Sequence, residues 1–462
     1  MIKGIGSGSA EGSADAKYAG AGRSTALPGV RGEEPRAGPG GSPGKKGCVF
    51  LNRSSAPARK LPTRPQPSAQ KQSELKELPG GKGFKKVKNK IKLFSVRLGM
   101  DMTFLFLVLL LVIIGIIMMY SASYPSALRY TDDSQKYLIS QSIFAAAGFG
   151  IMIGMSYFDY HHFHFLAPFI YIGGLGLLVV VLMMPGDPKR WISIGSFGFQ
   201  ASEVAKFALI LALADWSSKH FRDMHTFKTG VLPPLIMLVL YLVLLYKEPH
   251  YSGMVIMLIL AAIMMFIGGV KLRYFVIAGA LIGVVLLYLV ATNQLGYAMQ
   301  RLDGWGQALT YTTEDMWQKT YQTRNSLYAI GSGGVWGLGL GQSRQKYMYI
   351  PEAQNDFVFA VVCEEMGLIG AVLILLVFVL LVWRGITISM RAKDPFGSML
   401  GTGLSAQIGI QAILNILVIT DWLPNTGISL PFFSYGGTSL IMLMAQMGIV
   451  LSISRTSNLE KV

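Results

Sequence analysis

Apolar residues fall in blocks of membrane-crossing length along most of the chain, at about 101–120, 138–157, 166–184, 201–216, 231–246, 252–270, 274–292, 357–383, 398–420 and 438–454. Most of these blocks approach the ~20 residues a helix needs to cross hydrocarbon. The pattern predicts an all-α, polytopic membrane protein with about ten transmembrane helices. Between the seventh and eighth blocks the pattern breaks. A polar stretch from Asn293 to Asn355, ending in Asp356, predicts one large extracytoplasmic loop at about 293–356.

Composition agrees with the pattern, since 52% of residues are hydrophobic and only 14% charged, which excludes an ordinary soluble domain. The charge is uneven. Residues 1–100 hold 20 Lys and Arg against 6 Asp and Glu, leaving 21 against 19 for the rest. That first segment, rich in Gly, Pro, Ser, Ala and Lys, reads as a disordered basic cytoplasmic tail ahead of a membrane domain at 101–462. No cleavage signal follows the first apolar run, so it reads as a retained anchor. Lys82, Lys85, Lys86, Lys88, Lys90, Lys92 and Arg97 precede that anchor. Seven bases beside a membrane helix fit positive-inside bias and anionic lipid better than nucleic acid. Both termini are then cytoplasmic, and the inner loops carry Lys219, Arg222, Lys228, Lys271, Arg273, Arg384, Arg391 and Lys393. Cys48 and Cys363 lie in regions that do not meet, so no disulfide framework or metal cluster is implied.

Ionisable groups inside hydrocarbon are costly and usually face a cavity or a partner. Glu203 and Lys206 stand three apart on the fourth predicted helix, a spacing that lets them meet on one face. They read either as an internal ion pair or as part of a cavity wall. Asp356, at the polar mouth of the eighth helix, is the first candidate for chemistry; a helix N-cap is its bland alternative. At about 100° per residue, Cys363 lies almost beneath Asp356, Glu364 about 80° away and Glu365 on the opposite face. At most one of these glutamates could share a cavity with Asp356, which argues against a carboxylate dyad. The glycine-rich segment from Gly331 to Gly341 lacks the Gly-Lys-Ser/Thr of a nucleotide loop and reads as a turn-rich re-entrant stretch. His161, His162 and His164 read as a solvated interfacial turn rather than a metal site. Outer bases Lys189, Arg190, Arg344 and Lys346 suit an anionic ligand.

Four blocks carry a resemblance. They are Lys189-Arg190-Trp191-Ile192 with Phe199-Gln200-Ala201-Ser202-Glu203-Val204-Ala205-Lys206; Asn325-Ser326-Leu327-Tyr328-Ala329-Ile330-Gly331; Lys346 to Ala360, continued by Cys363-Glu364-Glu365-Met366-Gly367; and Pro424-Asn425-Thr426-Gly427 with Leu430-Pro431-Phe432-Phe433-Ser434-Tyr435-Gly436-Gly437. Together they resemble the SEDS family of shape, elongation, division and sporulation proteins across residues 101–454. Ser343-Arg344-Gln345-Lys346 and Glu364-Glu365 are closer to the FtsW and SpoVE branch than to RodA. Two positions depart from the family: Glu248-Pro249-His250-Tyr251-Ser252-Gly253 stands for Glu-Pro-Asp-Leu-Gly, and Ser140 replaces a base before Gln141. The family roles of those positions, including a lipid diphosphate contact near Gln141, are not carried over.

The resemblance implies a peptidoglycan glycosyltransferase that polymerises lipid II at the outer face of the bacterial cytoplasmic membrane. It also implies a class B penicillin-binding protein as partner to the lipid II and growing glycan it handles. The chemistry suits the residues. Inverting attack on a sugar diphosphate needs one base at the acceptor hydroxyl and positive charge at the leaving group, not the paired carboxylates of a hydrolase. Asp356 is the expected base and a candidate ligand for a divalent cation, Mg or Mn; no organic cofactor is expected. Lys189, Arg190, Arg344 and Lys346 are the expected diphosphate contacts, with Glu203 and Lys206 as cavity wall. A lipid II flippase, a RodA-type elongation polymerase and a scaffold for division proteins remain as alternatives.

Overall fold

A computed structural model describes residues 99–184, 191–194, 197–248, 250–291, 304–310 and 314–456. Apart from its last two residues, the predicted basic tail lies outside this set, as do Lys189 and Arg190. The fold is mostly helical. In chain order it comprises α1 (Met102–Thr131), α2 (Lys136–Tyr157), α3 (His162–Met183), β1 (Trp191–Ile194), β2 (Phe197–Gln200) and α4 (Ala201–Lys219). These are followed by α5 (Leu232–Lys247), α6 (Tyr251–Ile267), α7 (Leu272–Ala291), two short helices α8 (Glu314–Lys319) and α9 (Tyr321–Gly333), then α10 (Val358–Met390), α11 (Pro395–Ile419) and α12 (Gly437–Thr456).

Each of the ten apolar runs coincides with one long helix. Seven of the described helices, α1, α2, α3, α5 with the π-helical turn that precedes it, α10, α11 and α12, are long and apolar enough to cross a membrane. The other three differ for visible reasons. Helix α4 carries Glu203, Lys206 and Asp215, α6 has 17 residues, and α7 runs over Leu272–Ala291 with Arg273 in its first turn. Large apolar side chains such as Phe106, Ile113, Phe169, Leu373 and Trp383 are exposed on the outer faces of the bundle, where lipid rather than water is the compatible solvent. Two features differ from the sequence reading. Trp191–Ile194 and Phe197–Gln200 form an antiparallel hairpin, with Trp191 opposite Gln200, and the polar stretch holds helices α8 and α9.

Helix α1 begins at an N-cap. Asp101 Oδ1 accepts the Phe104 N–H at 2.8 Å, while its Oδ2 lies 2.7 Å from the Arg384 guanidinium of α10. The Asp101 N–H donates to Ser454 Oγ of α12 at 3.2 Å. One residue thus ties α1 to α10 through its carboxylate and to α12 through its backbone amide, adding a charged hydrogen bond to the ordinary capping gain.

Helix α10 is broken within its length. Gly367 has φ 65° and ψ −170°, a backbone state essentially restricted to glycine. The gap in the hydrogen-bond ladder is filled from the glycine-rich loop after α9. Leu338 N–H and Gly339 N–H donate to the Glu364 and Glu365 carbonyls, both at 3.0 Å, and Leu368 N–H donates to the Gly334 carbonyl at 2.9 Å. A Cβ at Gly367 would sit 2.3 Å from Gly337 N, so the loop backbone occupies the space a side chain would take. Irregular backbone among membrane helices is tolerated when protein satisfies its polar groups.

At the opposite end of the bundle from this break, the turn between α2 and α3 meets the start of α11. Tyr160 Oη donates to Asp394 Oδ1, and the Asp394 carboxylate also caps α11 through the Gly397 N–H at 2.8 Å. His161 lies between Asp159 at 2.6 Å and Asp394 at 3.4 Å, while His164 pairs with Asp215 of α4. The histidine turn therefore has carboxylate partners that the sequence reading did not anticipate; two of the three come from distant elements. Among the described residues no group of three or more His, Cys, Asp or Glu could hold a metal.

The hydrogen bond to Asp394 is the main cause that raises the His161 pKa to about 9. Burial pushes the Asp394 carboxyl up, but hydrogen bonds from His161, Tyr160 and Gly397 overcome it and hold the group at about 2. A raised histidine stabilises the fold fully below its ordinary 6.5 and loses that contribution as pH rises through about 9. A depressed carboxylate stabilises above 3.8 and loses its contribution only as pH falls through about 2. Thermal unfolding in detergent is expected to show a Tm that declines between pH 6.5 and 9 in the native protein and declines less in His161→Gln. An equal decline in both would remove His161 as the cause.

Candidate functional site

One cavity of about 710 Å³ opens among α2, α4, α6, α11, α12 and the segments Glu352–Asp356 and Gly427–Gly437, within the size range of small-molecule sites. Asp356, Glu203 and Lys206 all line it, and so do Ser140, Gln200, His250, Ser252 and Gln411. The structure therefore brings together three of the residues singled out in the sequence, although they are separated by some 150 positions.

Asp356 is positioned by backbone stitching. Asn415 of α11 donates through Nδ2 to the Asp356 carbonyl and to the Ile428 carbonyl, each at 2.7 Å. Tyr435 N–H donates to the Gln354 carbonyl at 2.8 Å, and Ser434 Oγ accepts the Leu430 N–H at 2.7 Å. Gln141, fully buried, clamps the same loop: its amide donates to the Ser434 carbonyl and accepts the Gly436 N–H. Gly427 has φ 71°, and a Cβ there would lie 3.1 Å from Asp356 Oδ2. Glycine at this turn leaves room for the carboxylate. The N-cap position of α10 belongs to Phe357, so Asp356 sits one residue ahead of the place a capping aspartate would take.

Glu203 and Lys206 form an ion pair in the cavity wall. Lys206 Nζ lies 2.7 Å from Glu203 Oε1, with the two side chains only 6% and 4% exposed, and both line the cavity. Asn355 Nδ2 donates to Glu352 Oε2 at 2.8 Å at the cavity mouth.

Two expected diphosphate contacts lie elsewhere. Lys346 is buried, and its ammonium donates to Glu365 Oε1 at 2.9 Å, Ser121 Oγ at 3.0 Å and the Gly341 carbonyl at 2.7 Å. An ammonium has three donors, and these three acceptors use them all. Arg344 is exposed and does not line the cavity; its backbone N–H donates to Glu364 Oε1 at 3.0 Å. Neither Glu364 nor Glu365 lines the cavity. Glu364 accepts from Ser343 Oγ, Ser332 Oγ and two backbone amides, so the glutamate pair anchors the loop that fills the α10 break. Sequence reasoning passed over Gln411 and Ser252 as parts of the cavity; a polar side chain within an apolar run was the available signal.

The matches to known proteins follow the same residues. Residues 101–459 match the family of cell cycle proteins FtsW, RodA and SpoVE. Stage V sporulation protein E of Bacillus subtilis is 37% identical over 364 residues, covering 77% of this chain and 97% of that protein. A probable peptidoglycan glycosyltransferase FtsW of Geobacter sulfurreducens is 37% identical over 362 residues, covering 77% and 95%. Among solved structures, a chain of a peptidoglycan synthase complex superposes with a TM-score of 0.65 at 23% identity, covering 79% of this chain and 100% of that one. RodA of Thermus thermophilus gives 0.56 at 24%, covering 79% and 99%. The chain belongs to the FtsW, RodA and SpoVE family, and it is a multi-pass membrane protein.

Removing one partner of a buried ion pair costs about 3–5 kcal/mol, whereas removing both costs much less. Lys346→Met is therefore expected to lower the Tm of the purified protein substantially, and Lys346→Met with Glu365→Gln to recover part of that loss. Additive losses would show that the two side chains act independently.

Proposed function

We propose that this protein is a peptidoglycan glycosyltransferase that polymerises lipid II into glycan strands at the outer face of the bacterial cytoplasmic membrane. The observation that carries this reading is the placement of Asp356 in the wall of the same cavity as the Glu203–Lys206 pair. Kinship with FtsW and SpoVE proteins supports a role in division or sporulation. Both termini then face the cytoplasm, with the cavity opening outward.

Asp356 acts as general base. Its carboxylate takes the proton from the 4-hydroxyl of the acceptor sugar as that oxygen attacks C1 of the donor. The C1–O bond to the diphosphate breaks on the opposite face, so the anomeric centre inverts, and the diphosphate departs with the bonding pair. A positioned base contributes about 10²–10⁴-fold to such a step. Asn415 and the Gly427 turn hold the base in place.

The diphosphate, already anionic, gains one further negative charge as it leaves, yet among the described residues the cavity lining offers Glu203, Glu352 and Asp356 against Lys206 and His250. With Lys346 committed to Glu365 and Arg344 off the lining, charge neutralisation falls to Lys206, to Lys189 and Arg190, and to a divalent cation. Magnesium-type ions are commonly held by one or two carboxylates together with substrate phosphates, and Asp356 is the carboxylate suited to that role. Such an ion would stabilise charge on the departing diphosphate. A single-span class B penicillin-binding protein is the expected partner, in keeping with the fold shared with a chain of a peptidoglycan synthase complex.

Asp356→Asn keeps the size and hydrogen-bonding reach of the side chain but removes its basicity. With purified lipid II it is expected to yield a folded, membrane-inserted protein and no glycan polymer; retained polymerisation rules out the base. Chelation of divalent ions in the same assay is expected to stop polymer formation by the native protein, and full activity after chelation rules out the cation.

A further inference from the structure

We propose that Gln407 and Gln446 hold a cluster of ordered water molecules beneath the floor of the cavity, hydrating the Glu203–Lys206 pair from the membrane side.

The helix geometry places these groups at one level. Helices α4 and α11 run antiparallel, since Phe396 at the start of α11 stacks on His164, the partner of Asp215 near the end of α4. A Cβ on Gly403 of α11 would touch Ile210 of α4. One turn nearer the cavity on each helix, Gln407 therefore stands opposite Lys206. Gln411, a further turn along the same face of α11, lines the cavity. On α12, Ser439 lines the cavity, and Gln446, seven residues on, lies below it on the same stripe. About one turn of ~5.4 Å below the cavity floor, the helices thus bring together a layer of side chains that includes buried polar groups.

In that layer hydrogen-bonding capacity exceeds its protein partners. Gln407 is 0% and Gln446 1% exposed. Neither the amide nitrogen nor the amide oxygen of either has a hydrogen-bond partner among the described residues, and the same holds for Ser202 Oγ and Glu203 Oε2. Lys206 bonds Glu203 Oε1 at 2.7 Å, which uses one of its three donors. Buried polar atoms left without partners cost about 1–3 kcal/mol each, and native interiors meet that demand with internal water making two to four bonds.

The donor set selects the ligand. A metal is disfavoured because the described residues contain no group of three metal-ligating side chains and an ammonium sits in the layer. An anion would face the Glu203 carboxylate, and an acyl chain would satisfy none of the amides. Water, which donates and accepts, suits the mixture of two amides, a hydroxyl, a carboxylate oxygen and an ammonium. It also offsets the desolvation that a buried ion pair otherwise suffers one turn into an apolar bundle.

Thermal unfolding of the full-length protein in detergent separates the alternatives by sign. In a hydrated layer, Gln407→Leu and Gln446→Leu expel water and strand the ion pair; each is expected to lower Tm by about 2–4 °C or more, with the double variant at least as low as the lower single. In a dry layer, the same substitutions remove unsatisfied amides, so an unchanged or raised Tm overturns the proposal. A double variant more stable than either single would show that the two amides bond each other directly, which overturns it as well. Gln407→Asn keeps an amide and leaves room for one more water, so it is expected to fold with a Tm between those of the native and leucine forms. A Tm for Gln407→Asn at or below that of the leucine variant overturns the proposal, including where the leucine form fails to fold.

Discussion

The break in α10 governs the geometry around Asp356. A continuous helix through Gly367 would leave no place for the glycine-rich loop, and the loop could not then bring its bases to Glu364 and Glu365. Once the helix opens, the loop supplies the hydrogen bonds that the ladder has lost, and the two glutamates beyond it become acceptors for Ser343, Arg344 and Lys346. Ser121 brings α1 into the same knot. The short first part of α10, with Asp356 ahead of it, is consequently fixed by loop and neighbouring helices as much as by the rest of its own helix.

Around that fixed point, charge is divided between structure and chemistry. The Lys346–Glu365 pair is closed on itself, with every ammonium donor used. The Glu203–Lys206 pair borders an open cavity and keeps hydrogen-bonding capacity in reserve. Two ion pairs of similar burial thus do different work, and the difference lies in how many of their donors and acceptors the protein has already consumed.

Much of the fold was legible because lipid imposes a simple rule: a run of apolar residues must be a helix of a certain length. All ten runs are helical, and seven of those helices are long and apolar enough to cross a membrane. Asp356 stood out for a related reason, as an acid at the boundary between a polar stretch and an apolar one. The roles of Arg344 and Lys346 were not legible. Their partners on Ser121, Glu364 and Glu365 come together only after the loop has entered the helix break, and no local pattern announces that insertion. The hairpin at Trp191–Gln200 does carry a strand-like alternation, in Ile192, Ile194, Phe197 and Phe199, but the segment is short and adjoins a helix with a strong signal of its own. Gln411 was obscured differently, since it is one of three amides, with Gln407 and Asn415, in a long apolar run, and the pattern marks them without telling which meets a void, a neighbour or another helix.

The cluster of Tyr160, His161, His164, Asp215 and Asp394 grips α4 and α11 at the ends farthest from Asp356. The two rods meet again part-way along, where Gly403 lies against Ile210. For a helix the length of α4, some 28 Å at 1.5 Å per residue, those two levels of attachment fix the line on which its far tip must lie. Glu203 and Gln411 are in this way held to a common frame by a knot of tyrosine, histidine and aspartate that stands a helix length away from both.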